Sequence, residues 1–329
     1  MQTKIVSDSP DALISLIETV KLCHQSPPRK KTCGKQPDFS DLSFLLLAVA
    51  ALMLKTFSDS SLHRLLAQDD ALRRACGFCR VPHRTNIGRR LKRVFSAAEA
   101  QIAVLGKQLL AEIQPAAEHS EVSATDGRMY QATGPKWHKS DRLQGVIPSG
   151  LRNVDEESSW SKSHYRGWVQ GYRLVLQTLC FPEPVPLFAV WRENSRSEAA
   201  ILLEELEENR LHITEVNLGD VRLAELGLPE KYRARGGWLL TPKELPPVNR
   251  TWKQNLYDYR KETIELLFER IMQTFDLRTC PVKGKAKNGT FVLASVWLYQ
   301  ICYLKNYREN KPLANVKEQI EKARWRIKF

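Results

Sequence analysis

The sequence lacks any hydrophobic run long enough to cross a bilayer. The apolar run FLLLAVAALML at 44–54 has 11 residues, whereas a membrane-spanning helix needs about 20, so this run predicts a buried helix. No signal-peptide pattern precedes it. The seven cysteines are an odd number without a framework spacing, which favours a reducing cytoplasm over secretion. Internal repeats and low-complexity tracts are absent too, so a globular cytoplasmic protein is expected.

The sequence also lacks the motifs of several kinds of enzyme and metal site. The stretch GKAKNGT at 284–290 does not have the order of a phosphate-binding loop and follows no predicted strand. The seven histidines are scattered, and no Ser/His or Cys/His nucleophile pattern is present. Cys76 and Cys79 form a C-x2-C pair with His83 nearby, but no second half of a zinc site follows. A packed turn is the favoured interpretation there, with zinc left open.

Acidic residues are few relative to basic ones. Fifty Lys and Arg face 37 Asp and Glu, which gives a net charge of +13 and a pI near 9.4. Such an excess favours a polyanionic partner, nucleic acid first. Two clusters without acids, RTNIGRRLKR at 84–93 and RTCPVKGKAKNG at 278–289, are candidates for phosphate contacts, although solvated basic faces are common as well.

The order of predicted elements indicates two segments. Helical patterns dominate 9–23 and 39–116, with Ser40 or Asp41 and Ser58 or Asp59 as N-cap candidates. A basic last helix suits a helix-turn-helix-like DNA-binding unit, and a plain helical bundle is the alternative.

After Pro115 the pattern changes to short strands, which are expected near 121–127, 171–179, 186–193, 213–220 and 236–241. Helices are predicted at 198–210, 257–275 and 290–306, so the second segment is an α/β domain with a mixed sheet. The polar stretch at 128–170 is interpreted as a loop or ribbon insertion. The expected domains are 1–118, 119–308 and a basic C-terminal tail at 309–329.

Three carboxylates are placed where a site can form. Asp126 and Asp220 each end a predicted strand next to a glycine, at the rim where open α/β sheets carry their sites; each alone is more often a turn residue. On the helix at 257–275, Glu265 lies about 90° from the centre of the apolar stripe, whereas Glu262 and Glu269 lie at about 150° and 130° and point to water. Three converging carboxylates in a basic protein suggest Mg²⁺.

In these motifs the chain resembles a bacterial insertion-sequence DDE transposase of the Tyr/Arg/Glu-signature group, over roughly 40–306. The matching stretches, in chain order, are FSDSSLHRLLAQDDALRRACGFCRVPHRTNIGRRLKRV (57–94), SATDG, WSKSHYRGWVQGYRLVLQT (160–178), LFAVWRENSRSEAAILLEEL, VNLGD, the helix with Tyr257, Arg260 and Glu265, and FDLRTCPVKGKAKNGTFVLASVWLYQICYLKN. The resemblance implies a ribonuclease-H-like catalytic domain behind a helical N-terminal DNA-binding domain.

The resemblance also implies roles. Asp126, Asp220 and Glu265 are the implied catalytic residues and ligands of two Mg²⁺ ions, with Mn²⁺ as a substitute. The implied activity is hydrolysis at transposon ends followed by strand transfer into target double-stranded DNA, by a homodimer on DNA in the bacterial cytoplasm near the nucleoid. The candidate DNA contacts are Arg84, Arg89, Arg90, Lys92, Arg93, Tyr257, Arg260, Lys261, Lys283, Lys285 and Lys287.

The chain departs from the family pattern Tyr-x2-Arg-x3-Glu-x6-Lys. Four residues separate Arg260 from Glu265, and Met272 stands at the final Lys position. Lys261 has the family spacing to Glu265, but Asp258 then takes the Tyr position. Two alternatives therefore stay open: a nuclease of the same fold, and a decayed or domesticated DNA-binding protein without catalysis.

Overall fold

A computed structural model describes residues 9–25, 38–113, 121–163, 165–243 and 250–325. The predicted basic loop at 27–31 and the side chain of Tyr257 lie outside the described residues. In the part of the chain that is described, no helix combines the length and the apolar character that a bilayer crossing requires.

The N-terminal segment is helical, as the sequence predicted. The helices among its described residues are α1 (Ser9–Cys23), α2 (Asp41–Met53), α3 (Asp59–Gln68), α4 (Asp70–Ala75), α5 (Arg84–Arg93) and α6 (Phe95–Glu112). Ser40 and Ser58 are the N-caps of α2 and α3, and each hydroxyl accepts a hydrogen bond from the backbone N–H three residues on, at 3.1 Å. The apolar run in α2 is buried from Ser43 to Met53.

The second segment contains one mixed sheet. Its strands are β1 (Val122–Gln131), β2 (Ser159–Ser163), β3 (Gly167–Leu179), β4 (Val185–Glu193), β5 (Val216–Leu218) and β6 (Trp238–Leu240). Strand β3 pairs antiparallel with β1 and β4, while β5 is parallel to β1 and β6 is parallel to β5. The main strands therefore lie in the order β4-β3-β1-β5-β6, a three-strand meander continued by two parallel strands. This is a ribonuclease-H-like mixed sheet flanked by helices, as predicted.

Helices lie between these strands and after them in the chain. They are α7 (Lys139–Leu143), α8 (Glu198–Glu207), α9 (Leu228–Arg233), α10 (Arg250–Arg260), α11 (Leu266–Phe275), α12 (Lys285–Arg308) and α13 (Val316–Trp325). A 3-10 helix at Val221–Ala224 follows β5, and a π-helical turn at Lys261–Glu265 joins α10 to α11. The predicted apolar stripe on the 257–275 helix is buried, and its members are each at most 3% exposed: Ile264, Leu267, Phe268, Ile271, Met272 and Phe275.

Helix α12 connects the two segments. It is buried from Lys287 to Leu304 and packs against α2, α5 and α6 of the N-terminal segment and against β4 of the sheet. One hydrophobic cluster therefore contains side chains from both segments, including Phe44, Trp191 and Trp297. Lys287 reaches across and donates to Asp59 Oδ1 at 2.6 Å, so an ion pair accompanies the apolar packing.

The structure corrects the expectation that Asp126 ends a strand at an Asp-Gly turn. Strand β1 continues through Gly127 to Gln131, and Asp126 stands opposite Leu176 of β3. The stretch that follows contains the short helix α7 and the strand β2, which forms a hairpin with the first residues of β3. Asp-Gly favours turns locally, but pairing with β3 keeps the backbone extended.

Candidate active site

Asp126 lies where two neighbouring strands separate. The parallel pairing of β1 with β5 ends at Ala124 and Leu218, so the next side chains of both strands reach a common rim. The Oδ1 atom of Asp126 accepts a hydrogen bond from the Gly127 N–H at 2.8 Å. Its Oδ2 atom accepts one from Arg260 Nη1 at 2.8 Å. Both carboxylate oxygens are thus held in place.

Asp220 follows β5 after a single glycine and begins the 3-10 helix. Its Oδ1 atom accepts backbone hydrogen bonds from Arg222 at 2.8 Å and Leu223 at 3.2 Å. This N-cap arrangement fixes the carboxylate at the carboxyl end of the strand. The sequence prediction that Asp220 follows a strand at the sheet rim is confirmed.

Glu198 joins these two aspartates, although no sequence motif marks it as a site residue. It is the first residue of α8 and is 8% exposed. Its Oε1 atom accepts a hydrogen bond from Arg173 Nη1 at 2.6 Å. Gly127 makes room for it, because a Cβ atom on that glycine would lie 2.6 Å from the Glu198 carboxyl carbon. An acidic residue in the first turn of a helix normally complements the helix dipole, so the sequence carried no signal for a site here.

The three carboxylates form one group. Asp126, Glu198 and Asp220 each offer an oxygen, and these oxygens all lie within 4.8 Å of one another. Burial first, and then the nearby charge of Asp126, raise the pKa of Glu198 to about 8. Burial also raises the pKa of Asp126, although the Arg260 guanidinium opposes that shift. Mutual repulsion in a partly desolvated place makes a bound cation favourable.

Arg260 connects Glu265 to this group of carboxylates. Arg260 Nη2 donates to Glu265 Oε1 at 3.4 Å while Nη1 binds Asp126. The side chain of Glu265 is 53% exposed and that of Arg260 only 6%. The guanidinium therefore bridges a buried and an exposed carboxylate.

The π-helical turn accounts for the unusual Arg–Glu spacing. A π-helix has hydrogen bonds from residue i to i+5, and the turn runs from Lys261 to Glu265. The additional residue between Arg260 and Glu265 is taken up within this turn. Two side chains five positions apart consequently contact each other, as residues four apart do on a regular α-helix.

The basic residues of α5 divide into two sets. Arg90 points inward: it donates to Asp41 Oδ1 at 2.6 Å and its guanidinium lies 5.1 Å from the centre of the Phe44 ring. The exposed set consists of Arg84, Arg89, Lys92 and Arg93. These four side chains share the helix with the buried Ile87 and Leu91.

The second basic cluster is largely engaged within the protein. Lys285 pairs with Glu193, and its backbone N–H donates to Glu157 Oε2 at 2.6 Å. Lys287 is 8% exposed and pairs with Asp59. Lys283 is half-buried beside Gly134. On the π-helical turn, Lys261 is exposed and lies 4.0 Å from Asp258.

The C-x2-C pair does not assemble a three-ligand metal site with His83. Cys76 is buried, and burial raises the pKa of its thiol to about 12, whereas Cys79 is exposed. His83 caps α5 and its Nδ1 atom lies 2.9 Å from the Thr85 hydroxyl. Among the described residues, the carboxylate group is the one cluster of three such ligands.

Comparison with known proteins gives only remote structural likenesses. No family model matches the chain, and no curated protein sequence does. A structure of the piggyBac transposase synaptic complex with hairpin DNA is 10% identical and covers 96% of this chain and 77% of that one, with a TM-score of 0.44. The Mos1 transposase paired-end complex with the left transposon end is 11% identical and covers 83% and 81%, with a TM-score of 0.21.

Proposed function

We propose that this protein is a transposase-type polynucleotidyl transferase, which hydrolyses a phosphodiester at transposon ends and joins the freed 3′-hydroxyl to target DNA. One observation carries the proposal: three carboxylates from β1, α8 and the end of β5 gather within 4.8 Å in a chain of net charge +13. Acidic residues concentrated at one point of a basic protein suit a metal-dependent reaction on a polyanion. The sequence motifs around Asp126, Asp220 and Glu265 supply the transposase class.

The residues present fit divalent cations. Asp126, Glu198 and Asp220 offer hard oxygen donors, the ligands that Mg²⁺ and Mn²⁺ prefer. Mg²⁺ binds proteins through one or two carboxylates plus substrate phosphate oxygens. The exposed Glu265 beside the group therefore suits the binding of a second metal ion. When bound, such ions activate a water or hydroxyl and stabilise the leaving oxygen.

Hydrogen bonds within the chain fix the positions of the three carboxylates. Arg260 fixes Asp126, Arg173 fixes Glu198, and two backbone N–H groups fix Asp220. All three lie on or beside the sheet, so their positions change little when DNA arrives. Preorganised charge of this kind is the usual source of catalytic stabilisation.

Double-stranded DNA is the proposed partner, and the exposed side of α5 provides a surface for its backbone. Arg84, Arg89, Lys92 and Arg93 are exposed there and suit phosphate oxygens. By resemblance to the insertion-sequence transposases, the proposal also includes a homodimer that binds two transposon ends in the bacterial cytoplasm.

The test is nicking and joining of a DNA fragment that carries the element's own ends. The unsubstituted protein is compared with Asp220→Asn, with and without Mg²⁺. Cleavage that requires both the ion and Asp220, followed by joined products, supports the proposal. Cleavage without joining indicates a nuclease of the same fold. Tight DNA binding with no cleavage by the unsubstituted protein indicates a DNA-binding protein that has lost catalysis.

A further inference from the structure

A β-hairpin outside the carboxylate group carries exposed aromatic and basic side chains. Strands β2 and β3 pair from Ser159 with Gly171 to Ser163 with Gly167. Near the tip, Tyr165 is 94% exposed and Trp168 is 52% exposed. Two large aromatic side chains exposed near one hairpin tip contribute an apolar patch, and such patches mark interaction sites.

The charged side chains of the hairpin itself are all basic. Residues 158–173 contain no acidic residue, and Lys162 stands opposite Trp168 in the hairpin. The ammonium of Lys139 on α7 lies 4.5 Å from the centre of the Trp168 ring. Arg166 donates from Nη1 to the Met129 carbonyl at 3.3 Å, which ties the tip to β1. A second copy of this chain, itself strongly basic, would be repelled here.

The hairpin projects from the rim that carries the carboxylates. Asp126 stands opposite Leu176, and β1 continues beyond it towards the beginning of β3 at Gly167. Strand β5 runs parallel to β1 and is followed by Asp220, so this is also the side of the second aspartate. The nine steps from Leu176 to Gly167 span about 30 Å at roughly 3.4 Å each.

We compare this length with the length of a DNA strand that extends from the site along the hairpin. Duplex DNA rises 3.4 Å per base pair on each strand, so the hairpin tip lies about eight to ten nucleotides from a phosphodiester held at the carboxylates. Basic residues suit the phosphates, and an exposed indole suits the face of a base that has left the duplex stack. Stacking of this kind tolerates any base, so the hairpin is expected to contact DNA without reading its sequence.

We propose that the β2–β3 hairpin binds the DNA strand about eight to ten nucleotides from the reacting bond, with Trp168 stacking on an unpaired base and Lys139 and Lys162 contacting phosphates. The proposal rests on the proposed function, since it takes DNA as the partner. The hairpin contact adds to the proposed function a binding preference for DNA in which the duplex is locally opened.

The test is binding of fluorescent 30-base-pair DNA in EDTA, so that no cleavage occurs. One duplex is fully paired and one contains a single unpaired base nine nucleotides from the end. Trp168→Ala is expected to weaken binding to the opened duplex by about 5- to 100-fold and to the paired duplex much less. Trp238→Ala is the matched control, because Trp238 is 43% exposed on β6, across the sheet from the hairpin.

Further variants separate stacking from charge. Trp168→Phe should restore most of the preference for opened DNA, and Lys162→Ala should reduce the salt dependence of binding by about one phosphate contact on both duplexes. Equal binding of Trp168→Ala and the unsubstituted protein to the opened duplex, with unchanged circular dichroism, overturns the proposal. If cleavage still requires Asp220 in that case, the proposed function stands alone. If neither duplex binds the unsubstituted protein, both proposals fail.

Discussion

Arg260 and Asp126, 134 positions apart in the sequence, are joined by a 2.8 Å ion pair at the edge of the sheet. The guanidinium is 6% exposed and the carboxylate 19%. Because the same guanidinium reaches Glu265, one arginine holds a carboxylate of the strand and a carboxylate of the helix in a fixed relation.

Replacing Arg260 should destabilise the protein. Arg260→Ala leaves Asp126 partly buried without its cation, at a cost of about 3 kcal/mol. Asp126 then takes up a proton more readily, because burial already raises its pKa. Thermal unfolding in EDTA measures the loss, and Mg²⁺ should restore part of it. Arg89→Ala, an exposed arginine, is the control; equal melting temperatures for the two variants would contradict the assignment.

Glu265 and Glu262 should differ although both residues are exposed on the same turn. Glu265→Gln removes the carboxylate that contacts Arg260, so the rate of Mg²⁺-dependent nicking should fall by at least about 10-fold. Glu262→Gln should leave the rate unchanged. Equal rates for the two variants would return Glu265 to an ordinary surface charge and leave Glu198 as the third carboxylate of the site.

Glu198 should make stability depend on pH in the absence of divalent ions. Its folded pKa of about 8 lies above the ordinary value of a glutamate, so the folded protein binds the extra proton between these two values. Stability from this group is therefore complete below about pH 4 and is lost as pH rises through 8. The difference in melting temperature between the unsubstituted protein and Glu198→Gln should change across this window. A pH-independent difference would contradict the prediction.

Gly127 should be intolerant of a side chain only while Glu198 is present. A Cβ atom would lie 2.6 Å from the Glu198 carboxyl carbon, so Gly127→Ala must displace that carboxylate, at a cost of about 1–3 kcal/mol. Nicking should fall with it. In a Glu198→Ala background the same substitution should cost far less stability, which a double-mutant cycle of unfolding free energies measures. Additive effects would show that something else opposes the methyl group.

The sequence predicted those parts of the molecule that depend on local pattern. The N-terminal helices, their serine caps and the apolar stripe on α11 follow from spacing that a single segment carries. The position of Asp220 followed in the same way, because the strand and the turn after it are adjacent in sequence.

The rest depends on contacts between distant segments. Glu198 enters the site only because its side chain lies against Gly127 of β1 and pairs with Arg173 of β3, and no local feature of SRSEAA distinguishes this glutamate from a dipole-stabilising one. Asp126 was expected at a turn because the dipeptide Asp-Gly favours turns, but long-range pairing with β3 overrides that preference. The π-helical turn likewise could not be inferred from helix propensity, since α- and π-helical turns use similar residues.

The burial of α12 between the helical segment and the sheet has a consequence for how the protein denatures. Because side chains of both segments pack on this one helix, neither segment can open fully without exposing it. The backbone amides of α12 should therefore exchange their hydrogens last, and only through global opening. A fragment that begins at β1 would expose an apolar helix surface to water, so the stability of the sheet depends on the N-terminal helices that cover α12.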